Sequence, residues 1–162
     1  MQKKIILDHT ICTGCYMCGQ VCSLVKTGAF NPAASRIRVV DWEDTGVNVP
    51  ILCQHCVEPV CLPSCPEGAI SLDPETGIVA IDHDLCSNCS VCREVCPYSG
   101  PVFSEPEKRV VLCDHCGGEP SCVIVCPTGA LTYQEYEAGL PEQRLAGMEE
   151  IRETVIKKVA RK

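Results

Sequence analysis

Sixteen of the 162 residues are cysteine, and they fall into four runs of four. The runs are Cys12-Cys15-Cys18-Cys22, Cys53-Cys56-Cys61-Cys65, Cys86-Cys89-Cys92-Cys96 and Cys113-Cys116-Cys122-Cys126. The first and third read C-x2-C-x2-C-x3-C, the second C-x2-C-x4-C-x3-C and the fourth C-x2-C-x5-C-x3-C. In all but the first, a proline follows directly: Pro66, Pro97 and Pro127. This grouping constrains the fold more than any hydrophobic pattern in the chain. Thiols so close in sequence converge on a common point once the backbone curls around it.

A [4Fe–4S] cubane has four iron corners, each needing one thiolate. Three cysteines two residues apart wrap one face of the cube, and a fourth three residues further on points away, towards a second cube. The proline after it lacks an N–H and fixes φ, so the chain leaves extended. Gly14, Gly19 and Ser90 are small enough to let the loop backbone approach the sulfides. Structural zinc sites separate two C-x2-C knuckles by roughly 12–20 residues, which these compressed runs do not do. A disulfide scaffold would suit a short secreted chain. The segment MQKKIILDHTIC carries no signal-peptide pattern. The runs therefore predict four [4Fe–4S] clusters, and a chain of clusters moves electrons.

Only 4% of the residues are aromatic and there is a single Trp, a thin organic core for this length. Metal ligation is also folding energy, so the apoprotein is expected to be largely unfolded. The formal charge is −7 with neutral thiols. Each cluster core with four thiolates adds −2, which takes the loaded protein to about −15. Such a surface disfavours nucleic acid. No stretch approaches the roughly 20 apolar residues of a membrane span. With no export signal read, the expected location is cytoplasmic.

The chain repeats itself. Ile6-Leu7-Asp8-His9-Thr10-Ile11-Cys12 matches Ala80-Ile81-Asp82-His83-Asp84-Leu85-Cys86, and Ile51-Leu52-Cys53-Gln54-His55-Cys56 matches Val111-Leu112-Cys113-Asp114-His115-Cys116. Cys65-Pro66-Glu67-Gly68-Ala69-Ile70 matches Cys126-Pro127-Thr128-Gly129-Ala130-Leu131. Runs one and two thus form a unit duplicated as runs three and four. Pairing in space need not follow the repeat. Residues 69–72 and 78–81 read as strands joined by the turn 73–77, the centre of a two-cluster ferredoxin. That joins runs two and three in one lobe over residues 51–99. Runs one and four are left to form an outer lobe from residues 1–50 and 100–135, with a strand at 4–7 beside 130–133. The expected class is α+β: two ferredoxin-like lobes, one inserted in the other.

On these residues the chain resembles the four-cluster, ferredoxin-like iron–sulfur subunits that serve molybdenum and tungsten enzymes of the DMSO reductase and formate dehydrogenase types. The likeness covers residues 1 to about 135 and includes Arg36-Ile37-Arg38-Val39, Cys96-Pro97-Tyr98-Ser99-Gly100-Pro101 and the Cys-x-His-Cys starts of runs two and four. It implies a nested ligation. One cluster takes Cys12, Cys15, Cys18 and Cys126, and its neighbour Cys113, Cys116, Cys122 and Cys22. In the other lobe, one takes Cys53, Cys56, Cys61 and Cys96, and its neighbour Cys86, Cys89, Cys92 and Cys65. The chain is shorter than the membrane-linked members and shows no anchoring helix. In this it is similar to the soluble small subunits of tungsten aldehyde oxidoreductases. That resemblance implies a tungsten- or molybdenum-pterin catalytic subunit and an FAD/NAD-binding subunit or a ferredoxin as partners.

No Gly-rich phosphate loop, nucleophile–base pair or carboxylate dyad stands out, so the reading is a non-catalytic electron-transfer subunit. Its rivals are a free-standing polyferredoxin, an iron–sulfur maturation or sensor protein, and the iron–sulfur subunit of another soluble complex (hydrogenase, formate or CO dehydrogenase, benzoyl-CoA reductase). His55 and His115 lie inside runs that already hold four cysteines, so they read as surface or hydrogen-bonding residues, not iron ligands. His9 and His83 read as strand-end caps, and Trp42 as packing over a cluster or touching a partner. Residues 141–162 read as a helix: Pro141 suits its first turn, and Leu145, Met148, Ile151, Val155 and Val159 recur near helical spacing. Its apolar stripe would pack on the lobes, on another subunit or on another copy.

Overall fold

The computed structural model describes residues 2–42 and 46–135. The expected helix at 141–162, and the docking assigned to it, lie outside the described residues. Short strands pair as antiparallel two-stranded ribbons. β1 (Lys3–Leu7) pairs with β8 (Leu131–Glu135), Ile5 opposite Tyr133. β2 (Arg38–Trp42) pairs with β3 (Val47–Ile51), β4 (Ile70–Leu72) with β5 (Val79–Ile81), and β6 (Val102–Ser104) with β7 (Arg109–Val111). The helices are short: α1 (Met17–Thr27), α2 (Val91–Glu94) and α3 (Ser121–Ile124).

The order of elements displays the duplication. β1, the first run, the β2–β3 hairpin, the second run and β4 are followed by β5, the third run, the β6–β7 hairpin, the fourth run and β8. Pairing then crosses between the repeats. β4–β5 joins the end of one to the start of the next, and β1–β8 joins the two outermost strands. Both ribbons were legible as alternating apolar segments, with ends shifted by a residue or two. The β4–β5 turn closes because the Asp73 carboxylate accepts from the backbone N–H of Glu75 and Thr76 at 2.8 and 3.3 Å, while Gly77 takes φ +70°.

The two hairpins inside the repeats were not anticipated. Pro50 sits within β3 opposite Val39, and a proline in a run argues against a strand. It is accommodated here because a two-stranded ribbon leaves an outer edge that needs no donor. Trp42 closes β2 opposite Val47, at the hairpin's tip. β6 and β7 are three residues each, joined through Glu105-Pro106-Glu107-Lys108, which is too short for a periodic signal.

Two apolar clusters fill the interior, and each is part thiol. The first gathers Ile5, Ile37, Leu52 and Leu131 around Cys18, Cys22 and Cys122. The second gathers Ile70, Val79, Val110 and Leu112 around Cys53, Cys61 and Cys92. Partly buried Cys113 packs against both. Leu52 thus joins the first cluster while Val110 and Leu112 join the second, so the hairpins carry side chains between the two halves.

Candidate metal centres

The backbone curls at matched places in the two repeats. Gly14 and Asn88, each between the first two cysteines of a run, have φ of +65° and +58°. Tyr16 and Ser90, each directly before a helix, have φ of +59° and +66°. Asn tolerates this region better than most side chains do. The Tyr16 hydroxyl is tied to the Asp41 carboxylate at 2.6 Å. A left-handed residue on either side of Cys15 and of Cys89 turns successive thiols inward. Before each of these runs an aspartate forms the same small turn: Asp8 accepts from Thr10 N–H, and Asp82 from Asp84 N–H. These carboxylates, rather than His9 and His83, cap the chain there.

All sixteen cysteines are free thiols. Burial raises the Cys18 thiol to about 11, and Cys12, Cys15 and Cys126 push it the same way against the N–H of Gly19. Burial also pushes up Cys122, helped by Cys113, Cys22, Cys116 and Cys18. Cys113 rises to about 12 through burial and through the charges of Cys22, Asp114 and Cys116. Burial raises Cys53, with Cys113, Cys56 and Cys61 as its charged neighbours. Cys61 reaches about 11 by burial and by Cys96, Cys56 and Cys92. Cys92 is raised by burial and by Cys86, Cys89 and Cys65. The last thiol of each run therefore lies among thiols of a different run: Cys126 with the first, Cys22 with the fourth, Cys96 with the second and Cys65 with the third.

Two cavities have such mixed linings. One of about 340 Å³, counting its open mouth, is lined by Cys65, Cys86, Cys89 and Cys92. Another of about 320 Å³ is lined by Cys22, Cys113, Cys116 and Cys122. Four thiols around one hollow are a donor set that fits a [4Fe–4S] cube. Iron bound there would hold them as thiolates, offsetting the repulsion that ionising them together would create. Backbone N–H groups aim at the sulfurs as well: Arg36 at Cys22 Sγ and Gly100 at Cys96 Sγ, each at 3.3 Å. At Cys126 burial works to raise the thiol. The Leu131 N–H, the Thr128 hydroxyl and the Thr128 and Ala130 N–H groups outweigh it and bring the thiol below its usual value.

Glycine also allows one stretch of backbone to lie close to another. A Cβ on Gly19 would make ordinary contact with Ile37 O at 3.5 Å, so this glycine faces the chain before β2. A Cβ on Gly100 would lie 2.8 Å from Cys53 Cα, which is backbone. Gly100 thus lets the segment after the third run lie directly on the first cysteine of the second.

His55 and His115 are not surface residues: they are 1% and 2% exposed. Both stand at left-handed positions, φ +45° and +51°, and direct their N–H groups at Cys53 and Cys113. Their rings meet edge to face at 4.4 Å, and Tyr133 lies 5.4 Å beyond His115. His55 Nδ1 accepts from Val79 N–H at 2.9 Å, so Nε2 carries the proton. Burial, then the charges of His115 and Lys4, hold His55 down to about 3. Burial takes His115 to about 4, with Lys4 pushing the same way against Asp114. With Nδ1 accepting, His55 is a neutral imidazole. His55 Nε2 and His115 Nδ1 have no hydrogen-bond partner among the described residues. An orphaned ring nitrogen beside thiols suits N–H···S bonding to a cluster. The buried Lys4, whose Nζ donates to the carbonyl of His55, gave no signal in the sequence, because lysine is ordinarily exposed.

Around the fourth run, Asp114 accepts from Cys116 N–H at 3.0 Å, from Lys26 at 2.7 Å and from Arg36 at 2.8 Å. Burial works against the charge, but these partners hold the carboxyl below its ordinary value. The acid clamps α1 and the segment before β2 to the fourth run.

A model of the 4Fe-4S dicluster domain matches residues 45–136, which hold runs two, three and four. The chain belongs to that family. Among relatives of this 4Fe-4S dicluster protein is the polyferredoxin-like subunit of an aliphatic sulfonate oxidoreductase from Pyrococcus furiosus, 39% identical over 75% of this chain and 70% of its own. The B subunit of the anaerobic dimethyl sulfoxide reductase of Escherichia coli is 36% identical over 82% of this chain and 73% of its own. The beta subunit of an NADH-dependent phenylglyoxylate dehydrogenase from Aromatoleum evansii is 36% identical over 81% of this chain, which spans 30% of that subunit. This dicluster-family chain is an iron–sulfur electron-transfer subunit homologous to subunits of oxidoreductase complexes. No helix among the described residues is long and apolar enough to cross a membrane.

Proposed function

We propose that the chain holds four [4Fe–4S] clusters as a linear relay between a catalytic subunit and a second redox partner, and that it performs no catalysis itself. The observation that carries this reading is the mixing of thiols between runs. Cys126 lies with Cys12, Cys15 and Cys18; Cys22 with Cys113, Cys116 and Cys122; Cys96 with Cys53, Cys56 and Cys61; and Cys65 with Cys86, Cys89 and Cys92. Those are the four ligand sets. Runs one and four then make an outer lobe, residues 1–50 with 100–135, around an inner lobe at 51–99.

The order of the sets follows from the thiols that adjoin across them. Cys18 neighbours Cys122, Cys113 neighbours Cys53, and Cys61 neighbours Cys92. The set of the first run is therefore one end and that of the third run the other. Exposed Cys15 and Cys89 belong to those two ends, where partners must approach. The clusters, when bound, take and release one electron each. The protein fixes their spacing, excludes water with two part-thiol cores, and aims N–H groups at the sulfurs.

The kinship supports a complex with a tungsten- or molybdenum-pterin catalytic subunit at one end. An FAD/NAD-binding subunit or a ferredoxin would sit at the other, in the cytoplasm. Two experiments test the reading. Cys126→Ser should disturb the cluster of Cys12, Cys15 and Cys18; disturbance confined to the cluster of Cys113, Cys116 and Cys122 overturns the nested pairing. Purified without air from its native cells, the tagged chain should bring down metal-pterin and flavin. Iron and sulfide alone on a lone small protein would make it a free polyferredoxin.

A further inference from the structure

Lysine is rarely buried, and a lysine buried against iron–sulfur ligands has an electrical consequence. Lys4 is 4% exposed at the start of β1, and its Nζ donates to the carbonyl of His55. His55 Nδ1 lies 3.8 Å from Cys53 Sγ. Cys113 Sγ and ring nitrogens of His55 and His115 all lie within 4.8 Å of one another. The field of Lys4 reaches both imidazoles. Lys4 thus stands at the junction where Cys53, of one inner ligand set, adjoins Cys113, of the other.

We propose that Lys4 raises the electron affinity of the two inner clusters, those ligated through Cys53 and Cys113, in addition to Lys26 and Arg36, which share Asp114 at the cavity of the Cys113 set. The inference rests on the four-cluster reading above. As an ammonium Lys4 places a positive charge in the interior, where Coulomb interactions are stronger than in water. Adding one electron makes a cluster more anionic, and Lys4 favours that form. The step it assists is a one-electron transfer from an end cluster to its inner neighbour: the end cluster is oxidised, the inner one reduced, and no bond or proton changes hands. The two end clusters, whose ligands Cys15 and Cys89 are exposed, are screened by water and feel this charge least.

The test is a redox titration of the loaded protein followed by electron paramagnetic resonance, comparing wild type with Lys4→Gln and Lys4→Arg. Glutamine keeps a donor for the His55 carbonyl and removes the charge. In Lys4→Gln two of the four midpoints should fall, each by at least about tenfold in its reduction equilibrium, or ~59 mV for one electron. The other two should stay, and Lys4→Arg should keep all four. Unchanged midpoints in a Lys4→Gln protein that retains its iron, or an equal fall of all four, would overturn the proposal. If Lys4→Gln does not hold its iron, Lys26→Arg protein carrying 15Nζ-lysine decides, since Lys26 itself lines the cavity of the Cys113 set. Electron spin-echo modulation from 15N on the signals of reduced clusters is then expected, and its absence counts against the assignment. The wild-type titration and iron content show separately whether four clusters exist, so failure of that reading is not confused with failure of this one.

Discussion

Replacing Gly100 with alanine adds one methyl group at the point where the chain after the third run crosses the first cysteine of the second. The new Cβ would lie 2.8 Å from Cys53 Cα, 3.2 Å from its N and 3.4 Å from its Cβ. Carbon atoms pack best at about 3.5–4.0 Å, so the closest pair overlaps by about 0.7 Å or more. Neither side yields cheaply. Cys53 follows Leu52, which is fully buried, and the Gly100 N–H is committed to Cys96 Sγ at 3.3 Å. Overpacking of this kind costs about 1–3 kcal/mol. Gly100 has no positive φ, so the stiffer unfolded chain of the alanine variant returns about 0.4–1 kcal/mol, leaving a net loss near 1–2 kcal/mol. Gly19→Ala is the control. It lies inside α1 with only ordinary contacts, and it should stabilise by roughly 0.5–1 kcal/mol. The assay is anaerobic release of iron to a chelator in mild denaturant. Gly100→Ala should release its first quarter of iron about ten times faster than wild type, because Cys53 and Cys96 are assigned to one cluster, while Gly19→Ala should be unchanged or slower. Wild-type release from Gly100→Ala, with faster loss from Gly19→Ala, would refute the argument that Gly100 is there for close approach.

Two further outcomes follow from the same geometry. Asp114→Asn leaves Lys26 and Arg36, both largely buried, without their shared carboxylate, and should cost about 1–2 kcal/mol after allowing for the half-exposed acid. Denaturation at low and high salt checks it, the difference from wild type shrinking as salt rises. Stripping all iron with a chelator should abolish most of the far-ultraviolet circular dichroism, since thiols make up a large part of both cores; a native-like spectrum after complete removal would contradict this.

The cysteine runs were readable because ligand spacing is a local property of the chain. The two ribbons that cross between repeats were readable for a related reason: each strand abuts a run, and Asp73 and Gly77 mark the turn. The β2–β3 hairpin was hidden by Pro50, which looks like a strand breaker until its partner Val39 is known. The placements of Lys4, His55 and His115 were hidden more deeply. They are buried by residues distant in sequence: Val79 takes up His55, Tyr133 covers His115, and Lys4 reaches across from β1. No window along the chain contains those contacts. Gly100 is similar, since its need to be glycine arises only where Cys53 passes over it.

The crossing of strands between repeats has a consequence for symmetry. The first strand of one repeat pairs with the last of the other, and the reverse holds too. That is the isologous contact of a two-fold homodimer, in which each copy covers the other's open edges. The thiols follow the same exchange, the last of each run lying among those of the opposite repeat. The chain is laid out as such a dimer made covalent by the Asp73–Gly77 turn. A true homodimer would have identical ends, and a wire with identical ends has no intrinsic direction. Fusion removes that limit, and the ends have already diverged. α1 runs 11 residues where α2 runs 4, and Tyr16 stands where its counterpart is Ser90. Unlike ends can meet unlike partners, which is the condition for current to flow one way.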